Sequence, residues 1–286
     1  MSQNITQQHF IQTDGFKLNY TVEGSGLPTI VVGSSIYYPR TFSQNLRNHL
    51  QMIFMDHRGF GEATAPYDQS SLQLDLLISD IEKLRESLSL DKVVIMGHSG
   101  HAYMALEYAK KYPDVVTHVV LIGVGPDQSL ASNQAAQQYF DDSVCDERKA
   151  LLQASLKDLP AELAKAPDQA MVTLCKRLGA ASWYDYRYDA ASLWEGVRVN
   201  QPVFDYVWGK LFAEIDITQG LDNFNQPVFL ALGKFDFLVA PFYTWNALRP
   251  KFKNLTVRLF EKSSHSPQFE EPEAFDKELT KWLLGV

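Results

Sequence analysis

Short, continuous apolar runs alternate with segments of helical spacing along the first half of the chain. Four such runs predict strands that are covered on both faces, namely 28–33 (PTIVVG), 51–56 (QMIFMD), 92–97 (KVVIMG) and 116–125 (VTHVVLIGVG). Between residues 74 and 88, apolar side chains recur at intervals of three and four, which predicts a helix with one buried stripe. Residues 9–24 predict two short antiparallel strands around the turn at Asp14-Gly15. The alternation of strands and helices predicts parallel βαβ units and an α/β fold.

The pattern changes after Gly125. Residues 126–223 contain helical stretches and an aromatic-rich piece but no strong strand run. The alternation then resumes with a strand at 226–233, a helix at 244–252, a strand at 255–262 and a last helix at 272–285. We therefore expect one α/β core built from residues 1–125 and 224–286, with residues 126–223 inserted as a helical cap domain.

Composition and charge narrow the function classes. The net charge of −8 argues against a nucleic-acid partner, which would require a basic face. No apolar run is long enough to span a membrane, and the first ten residues do not have the pattern of a signal peptide, so we expect a cytoplasmic protein without a membrane partner. Two cysteines are too few for a disulfide framework or a cysteine-based metal site. The pattern carries no indication of an oligomeric state.

Three polar residues follow predicted strands in the order serine, aspartate, histidine. Ser99, Asp236 and His265 each lie just past a strand, where ligands gather at the carboxyl ends of a parallel sheet. A serine on a sharp strand–helix turn can act as a nucleophile when a histidine base, oriented by a carboxylate, takes its proton. This order is the one found in α/β-hydrolases.

Each of the three residues also has a structural interpretation. Ser99 could be an ordinary helix N-cap, Asp236 could stabilise its own turn, and His265 could be a surface histidine. Asp127, at the end of an earlier strand, is a rival for the acid. His98 and His101 have a spacing that can share a metal, but no third ligand is evident in the sequence, and we expect no metal site.

The whole chain resembles an α/β-hydrolase with a helical cap, and most closely the proline iminopeptidase-like branch of serine peptidases and esterases. The resemblance rests on four motifs, namely MDHRGFG (55–61), GHSGH (97–101), GKFDF (233–237) and SSHSPQFEEPEAF (263–275). It implies a mostly parallel eight-stranded sheet flanked by helices. It also implies Ser99 as nucleophile, His265 as base and Asp236, rather than Asp127, as the acid, with no metal or organic cofactor. The loop 56–61 is expected to be structural.

Two positions depart from the family pattern. The nucleophile motif usually reads G-x-S-x-G, but His101 stands two residues after Ser99. The family commonly has H-G after the strand that matches 28–33, where this chain has Gly33-Ser34-Ser35. Because an oxyanion hole uses backbone N–H groups, we expect Ser35, with Ser34 as the alternative, to donate together with Gly100.

Substrate recognition is less strongly indicated. Residues 193–196 (LWEG) resemble the W-E-G piece of proline iminopeptidases, whose glutamate binds the substrate amine. That resemblance implies Glu195 as an amine anchor beside Trp194, although a surface charge is the alternative interpretation, and Tyr37 is expected to narrow the acyl pocket. The expected substrate is a small molecule or short peptide cleaved at an amide bond by an aminopeptidase. The alternatives are a carboxylesterase or lactonase and a catalytically idle binding protein.

Overall fold

The computed structural model describes residues 8–285, and nine strands there form a single sheet. The strands are β1 (His9–Thr13), β2 (Phe16–Glu23), β3 (Leu27–Gly33), β4 (Leu50–Asp56), β5 (Glu62–Ala63), β6 (Val93–His98), β7 (Val116–Ile122), β8 (Val228–Gly233) and β9 (Leu255–Phe260). Eight of them follow one another in the order β1-β2-β4-β3-β6-β7-β8-β9, and the two-residue β5 pairs with β2 off this path. β1 and β2 are antiparallel to their neighbours, whereas all pairs from β4 to β9 along the path are parallel.

This sheet confirms the predicted α/β fold with its mostly parallel, eight-stranded path. The apolar runs fold as buried strands, since every residue of β6 and β8 is buried. The two antiparallel strands predicted at the start of the chain are β1 and β2. Sequence analysis missed β5, which is too short and too exposed to leave a periodic signal.

Helices cover both faces of the sheet. Helix α1 (Leu74–Ser87) buries the predicted stripe Leu77, Ile78, Ile81 and Leu84, and helix α2 (His101–Lys111) packs between α1 and strands β6 and β7. At the end of the chain, helix α9 (Pro267–Glu270) precedes helix α10 (Pro272–Leu284), which buries Phe275, Leu279 and Leu283. Because the strands from β4 to β9 along the path are parallel, their carboxyl ends lie at the same edge of the sheet.

Residues 126–223, called here the helical segment, contain no strand. The helices are α3 (Leu130–Ser143), α4 (Asp146–Lys157), α5 (Leu159–Lys165), α6 (Ala170–Arg177), α7 (Gly179–Ser182) and α8 (Gln201–Tyr206). A single π-helical turn, Val207–Leu211, continues α8. In the described part of the chain, no helix combines the length and the apolar character that crossing a membrane requires.

One predicted helix is wrong. Residues 244–252 form only 3₁₀ turns, at Phe242–Ala247 and Arg249–Lys251. Pro250 has no N–H to donate and disfavours helical geometry at the residue before it. The apolar spacing nevertheless serves packing, because Trp245 is buried and donates its ring N–H to the Val124 carbonyl at 2.8 Å.

The loop after β4 is built around a buried ion pair. Arg58 is fully buried and binds Asp80 of α1 through two contacts, at 2.6 Å and 2.9 Å. A bidentate pair of this kind is strongly directional. These contacts support the structural role expected for loop 56–61.

Candidate active site

Ser99 lies on the tight turn between β6 and α2. Its φ of +56° is in the left-handed region, which is uncommon for a residue with a side chain and is found where function requires a strained turn. The Ser99 N–H donates to the Ile122 carbonyl at 2.8 Å, which fixes the turn to strand β7. Gly97 has no room for a side chain, since an added Cβ would lie 2.3 Å from the His101 carbonyl oxygen. The turn therefore raises Ser99 clear of the sheet.

His265 and Asp236 are brought together by the loops after β9 and β8. His265 Nδ1 lies 2.8 Å from Asp236 Oδ2, and both residues are buried. Because a carboxylate only accepts hydrogen bonds, Nδ1 carries the proton and Nε2 keeps its lone pair. The other carboxylate oxygen of Asp236 accepts the Leu238 N–H at 3.0 Å, so the acid itself is held in place.

Asp127 does not take part in this pair. Its Oδ1 accepts hydrogen bonds from the Ser129 N–H at 2.9 Å and the Ser132 hydroxyl at 2.6 Å. Partial burial alone would raise the pKa of Asp127, but these hydrogen bonds outweigh it and hold the pKa below its usual range. Asp127 is therefore an ionised carboxylate at neutral pH.

The pKa of His265 is shifted in the opposite direction from the pKa values of the other histidines of the site. Burial alone would lower its pKa, but the charge and hydrogen bond of Asp236 outweigh burial and raise the pKa above its usual value. Burial lowers the pKa of His98 and of His57 to about 3, and it lowers the pKa of His101 well below the usual range. Only His265 is poised to exchange a proton near neutral pH.

The loop that carries His265, residues 263–266, is tied to the helical segment and to its own helix. The His265 N–H donates to the Ser182 carbonyl at 3.0 Å. Glu270 accepts the N–H groups of Ser264 and Ser266 at 3.0 Å each, and that of Tyr184 at 2.6 Å. Burial raises the pKa of Glu270 to about 7 in spite of these bonds. Hydrogen bonds to the helical segment and to Glu270 of α9 therefore hold the loop that carries His265 in place.

A cavity of about 330 Å³ lies between the sheet edge and the helical segment. Ser99, Gly100 and His265 line it from the core side, while Trp194 and Trp208 line it from the helical segment. Its walls are mostly aromatic and aliphatic, and Asp127 is the one carboxylate among the described residues that line it. The site therefore combines an apolar pocket with a few convergent polar groups, as small-molecule sites commonly do.

The π-helical turn lies directly on the turn that carries Ser99. An added Cβ at Gly100 would lie 2.7 Å from the Phe212 ring and 2.9 Å from the Trp208 ring. Trp208 in turn stacks on Phe204 with ring centroids 3.9 Å apart. Gly100 is therefore the residue that allows the helical segment to close over Ser99, and π-helical turns of this kind are frequent at functional sites.

Comparison with known proteins identifies the family. Residues 25–272 match the model of the alpha/beta hydrolase fold family. The chain belongs to the α/β-hydrolase family. It is 42% identical over 271 residues to the AB hydrolase superfamily protein YclE of Bacillus subtilis, covering 95% of this chain and 96% of that protein. It is 25% identical to a proline iminopeptidase of Heyndrickxia coagulans, over 93% of this chain and 94% of that enzyme.

A solved structure of an alpha/beta fold family hydrolase from Bacillus anthracis aligns with a TM-score of 0.70 at 21% identity. The alignment covers 96% of this chain and 99% of that one, so the likeness in fold extends over nearly the whole molecule. The family resemblance inferred from the four motifs is therefore confirmed.

The α/β-hydrolase pattern is altered at the loop after β3. The Ser35 N–H, expected to serve the oxyanion hole, donates to Asp56 Oδ1 at 2.6 Å. Neither Ser34 nor Ser35 is among the described residues that line the cavity, and Ser34 borders a different pocket together with Asn19 and Asp56. The Ser35 N–H is therefore not placed to serve an oxyanion hole in this conformation, because a carboxylate from β4 accepts it, and the Ser34 alternative stays a prediction.

His101, the other departure from the family pattern, is accommodated by side-chain packing. Its ring lies between those of Tyr38, His57 and Trp208, with centroids 5.6, 4.9 and 5.0 Å away. Its Nδ1 lies 2.8 Å from the Tyr38 hydroxyl. His101 lines the cavity, but the described residues hold no group of three ligands that could bind a metal.

Of the residues predicted to bind substrate in the acyl pocket and at the amine, two line the cavity and one does not. Tyr37 and Trp194 both line the cavity, and their rings pack with centroids 4.3 Å apart. Glu195 is exposed and is not among the described residues that line it, and its backbone carbonyl instead accepts from Arg40. This geometry does not place Glu195 in the cavity wall, because the chain turns outwards after Trp194, and its role as an amine anchor stays a prediction.

Sequence analysis missed the contributions of Trp208, Phe212 and Glu270. Trp208 and Phe212 lie in a part of the helical segment whose sequence gave no reason to place their rings over the Ser99 turn. Glu270 had a usable signal, since it follows His265 by a few residues in the histidine-loop motif. Its role becomes evident only from the three backbone N–H groups that donate hydrogen bonds to it.

Proposed function

We propose that this α/β-hydrolase is a serine hydrolase that cleaves a carboxylic ester or amide through an acyl-enzyme. Ser99 is the nucleophile, His265 the base and Asp236 the residue that orients the base. The observation that carries the proposal is the hydrogen-bonded His265–Asp236 pair beside the cavity that the strained Ser99 turn also lines. The helical segment acts as a cap that shapes this cavity.

The chemistry follows from the protonation states. His265 Nε2 takes the proton of the Ser99 hydroxyl while Oγ attacks the carbonyl carbon, and the carbonyl oxygen becomes the oxyanion. The Gly100 N–H lies at the start of α2, where helical N–H groups have no partner within the helix, and donates to this oxygen. His265 then gives its proton to the leaving group. Water, deprotonated by His265, releases the acid and restores Ser99.

The cavity favours a small, largely apolar acyl group. Tyr37, Trp194 and Trp208 supply aromatic walls, and the volume of about 330 Å³ suits a compact substrate. The geometry therefore best supports a carboxylesterase.

An aminopeptidase is a second candidate, supported by Asp127. Its ionised carboxylate lies in the cavity wall and can pair with a substrate ammonium group. The similarity to a proline iminopeptidase over 93% of the chain is consistent with this candidate. Asp127 takes the place that the sequence analysis gave to Glu195.

The decisive experiment is labelling with a fluorophosphonate probe, combined with hydrolysis of a p-nitrophenyl ester. The wild-type protein should be labelled and active, and Ser99→Ala should lose both labelling and turnover. Ser155→Ala is the matched control, because that hydroxyl donates to the Arg177 carbonyl outside the cavity. Labelling that survives in Ser99→Ala would refute the assignment of the nucleophile.

A further inference from the structure

Four backbone N–H groups in the loop after β3, those of residues 35–38, donate hydrogen bonds within the loop or to Asp56. The Ser35 N–H donates to Asp56. The two amides of residues 36–37 donate to the Ser34 hydroxyl at 3.3 and 3.2 Å, and the Tyr38 N–H donates to the Ser34 carbonyl at 3.2 Å. No N–H from residues 35 to 38 is therefore free to bind an oxyanion in this conformation.

The Tyr38 side chain lies at the nucleophile turn instead. Its ring covers Gly33 so closely that an added Cβ there would lie 2.1 Å from the ring carbon Cε2. The hydroxyl reaches the end of β6, 3.4 Å from the carbonyl oxygen of His98, the residue before Ser99. Tyr38 also lines the cavity, and burial raises its pKa well above the usual range, so the phenol keeps its proton.

The surrounding hydrogen bonds order the protons. His98 Nε2 lies 2.8 Å from the His265 carbonyl oxygen and must donate to it, so His98 Nδ1 is an acceptor. This acceptor lies 3.3 Å from the Tyr38 hydroxyl. The resting hydroxyl can therefore point its proton towards His98.

His101 completes the arrangement. Its Nε2 is buried without a partner among the described residues, and a buried N–H without an acceptor is rarer than a buried acceptor without a donor. This assigns the proton to Nδ1, which lies 2.8 Å from the Tyr38 oxygen and 3.2 Å from the His98 carbonyl oxygen and donates to the nearer Tyr38 oxygen. The Tyr38 oxygen accepts from His101, and its own proton remains available.

We propose that the Tyr38 hydroxyl is the second donor to the oxyanion, beside the Gly100 N–H, and that His101 positions it. This inference rests on the proposed serine hydrolase function. At 3.3–3.4 Å the resting contacts of the hydroxyl to His98 are longer than the usual 2.7–2.8 Å, so they are weak and easily exchanged. A charged oxyanion is a better acceptor than a neutral ring nitrogen or carbonyl. The hydroxyl thus turns to the oxygen as its charge develops.

The test is Tyr38→Phe, which keeps the ring over Gly33 and removes only the hydroxyl. We expect kcat for a p-nitrophenyl ester to fall about 10²–10³-fold with KM nearly unchanged, as for loss of one oxyanion donor. Tyr108→Phe is the matched control. That tyrosine is equally buried, donates to Glu82 and lies on α2 outside the cavity lining, so wild-type kcat is expected.

Inhibitor binding separates a catalytic role from a structural one. An aryl boronic acid, which forms a tetrahedral adduct on a serine, should bind Tyr38→Phe more weakly by about the same factor as the loss in kcat/KM. A neutral ether isostere of the ester, which has no carbonyl oxygen to become an oxyanion, should bind equally well to both proteins.

A double-mutant cycle tests the positioning role of His101. His101→Phe should lower kcat in the wild-type background but cost little more in the Tyr38→Phe background, because the two residues act as a unit. Wild-type kcat in a folded Tyr38→Phe would overturn the inference while leaving the serine hydrolase proposal intact. A wild-type protein without Ser99-dependent hydrolysis would overturn both.

Discussion

Replacing Asp236 with asparagine changes one functional group of the proposed triad while preserving its shape. The side-chain oxygen can still accept the Leu238 N–H, so the loop is expected to hold. The other position now presents an NH₂ group to His265 Nδ1, at a site where the carboxylate oxygen lies 2.8 Å away. Nδ1 must become the acceptor, which moves the histidine proton to Nε2.

The expected magnitude follows from this tautomer. A histidine protonated at Nε2 cannot take the Ser99 proton, and the corresponding loss in a serine triad is about 10⁴-fold in kcat. That factor corresponds to roughly 5.4 kcal/mol in the barrier, at about 1.36 kcal/mol for each factor of ten.

The direction in which the pH dependence of kcat/KM shifts is an independent test of the same assignment. His265 works as a base when neutral, so wild-type kcat/KM should rise with pH through a pKa above the ordinary histidine value, since Asp236 raises it. In Asp236→Asn the charge is gone but burial still lowers the pKa. Loss of the Asp236 charge also lowers the pKa of Glu270, so Glu270 stays ionised to lower pH and offsets part of this fall, but its effect on the pKa of His265 is smaller than that of Asp236. The rising limb should therefore move to lower pH.

The assay measures hydrolysis of a p-nitrophenyl ester by both proteins from about pH 5 to about pH 9, in steps of about half a pH unit. Circular dichroism first establishes that both proteins are folded. Asp127→Asn is the comparison, because Asp127 is the rival acid. An Asp236→Asn protein within tenfold of wild type, combined with a collapse of activity in Asp127→Asn, would refute the assignment.

Two further predictions follow from the cavity and the histidine loop. Asp127→Asn should lower kcat/KM about 10-fold or more for esters with a free α-ammonium group and little for neutral isosteres, as expected for about 1.5–3 kcal/mol from a charge-assisted contact. Glu195→Gln, on the exposed surface, should change neither, and a selective loss in that variant would restore the W-E-G interpretation. Gly233→Ala should lower Tm by several degrees and kcat with it, because its Cβ would lie 1.8 Å from the Ser264 carbonyl oxygen and overpacking costs about 1–3 kcal/mol. Gly209→Ala, with open space around it, should leave both unchanged, and equal Tm shifts in the two variants would contradict the steric argument.

The strands and the order of the site residues could be predicted because their signals are local. A buried parallel strand such as β6 needs a continuous apolar run, and a residue just past such a strand lies at the ligand-binding edge. The His265–Asp236 contact was predictable for the same reason, since both residues follow neighbouring strands.

The hydrogen-bond partners of individual amides and the positions of individual side chains could not be predicted in this way. Whether Ser35 donates to a substrate depends on Asp56, which reaches it from a different strand. Glu195 lies exposed outside the cavity wall, and its position could not be predicted because a local motif does not determine which way an irregular segment turns. The role of Tyr38 could not be predicted for a related reason. Its ring packs on Gly33, which has no side chain, and its hydroxyl contacts two histidines, His98 and His101, that flank Ser99.

The bonds between the histidine loop and the helical segment limit how this protein can diverge. The His265 N–H donates to the Ser182 carbonyl, and the Tyr184 N–H donates back to Glu270. A helical segment taken from a relative would have to supply the same acceptor and the same donor at the same places. Chimeras that exchange the segment for new specificity should therefore retain residues 182–184 from the parent, because these residues belong functionally to the histidine loop rather than to the exchanged part.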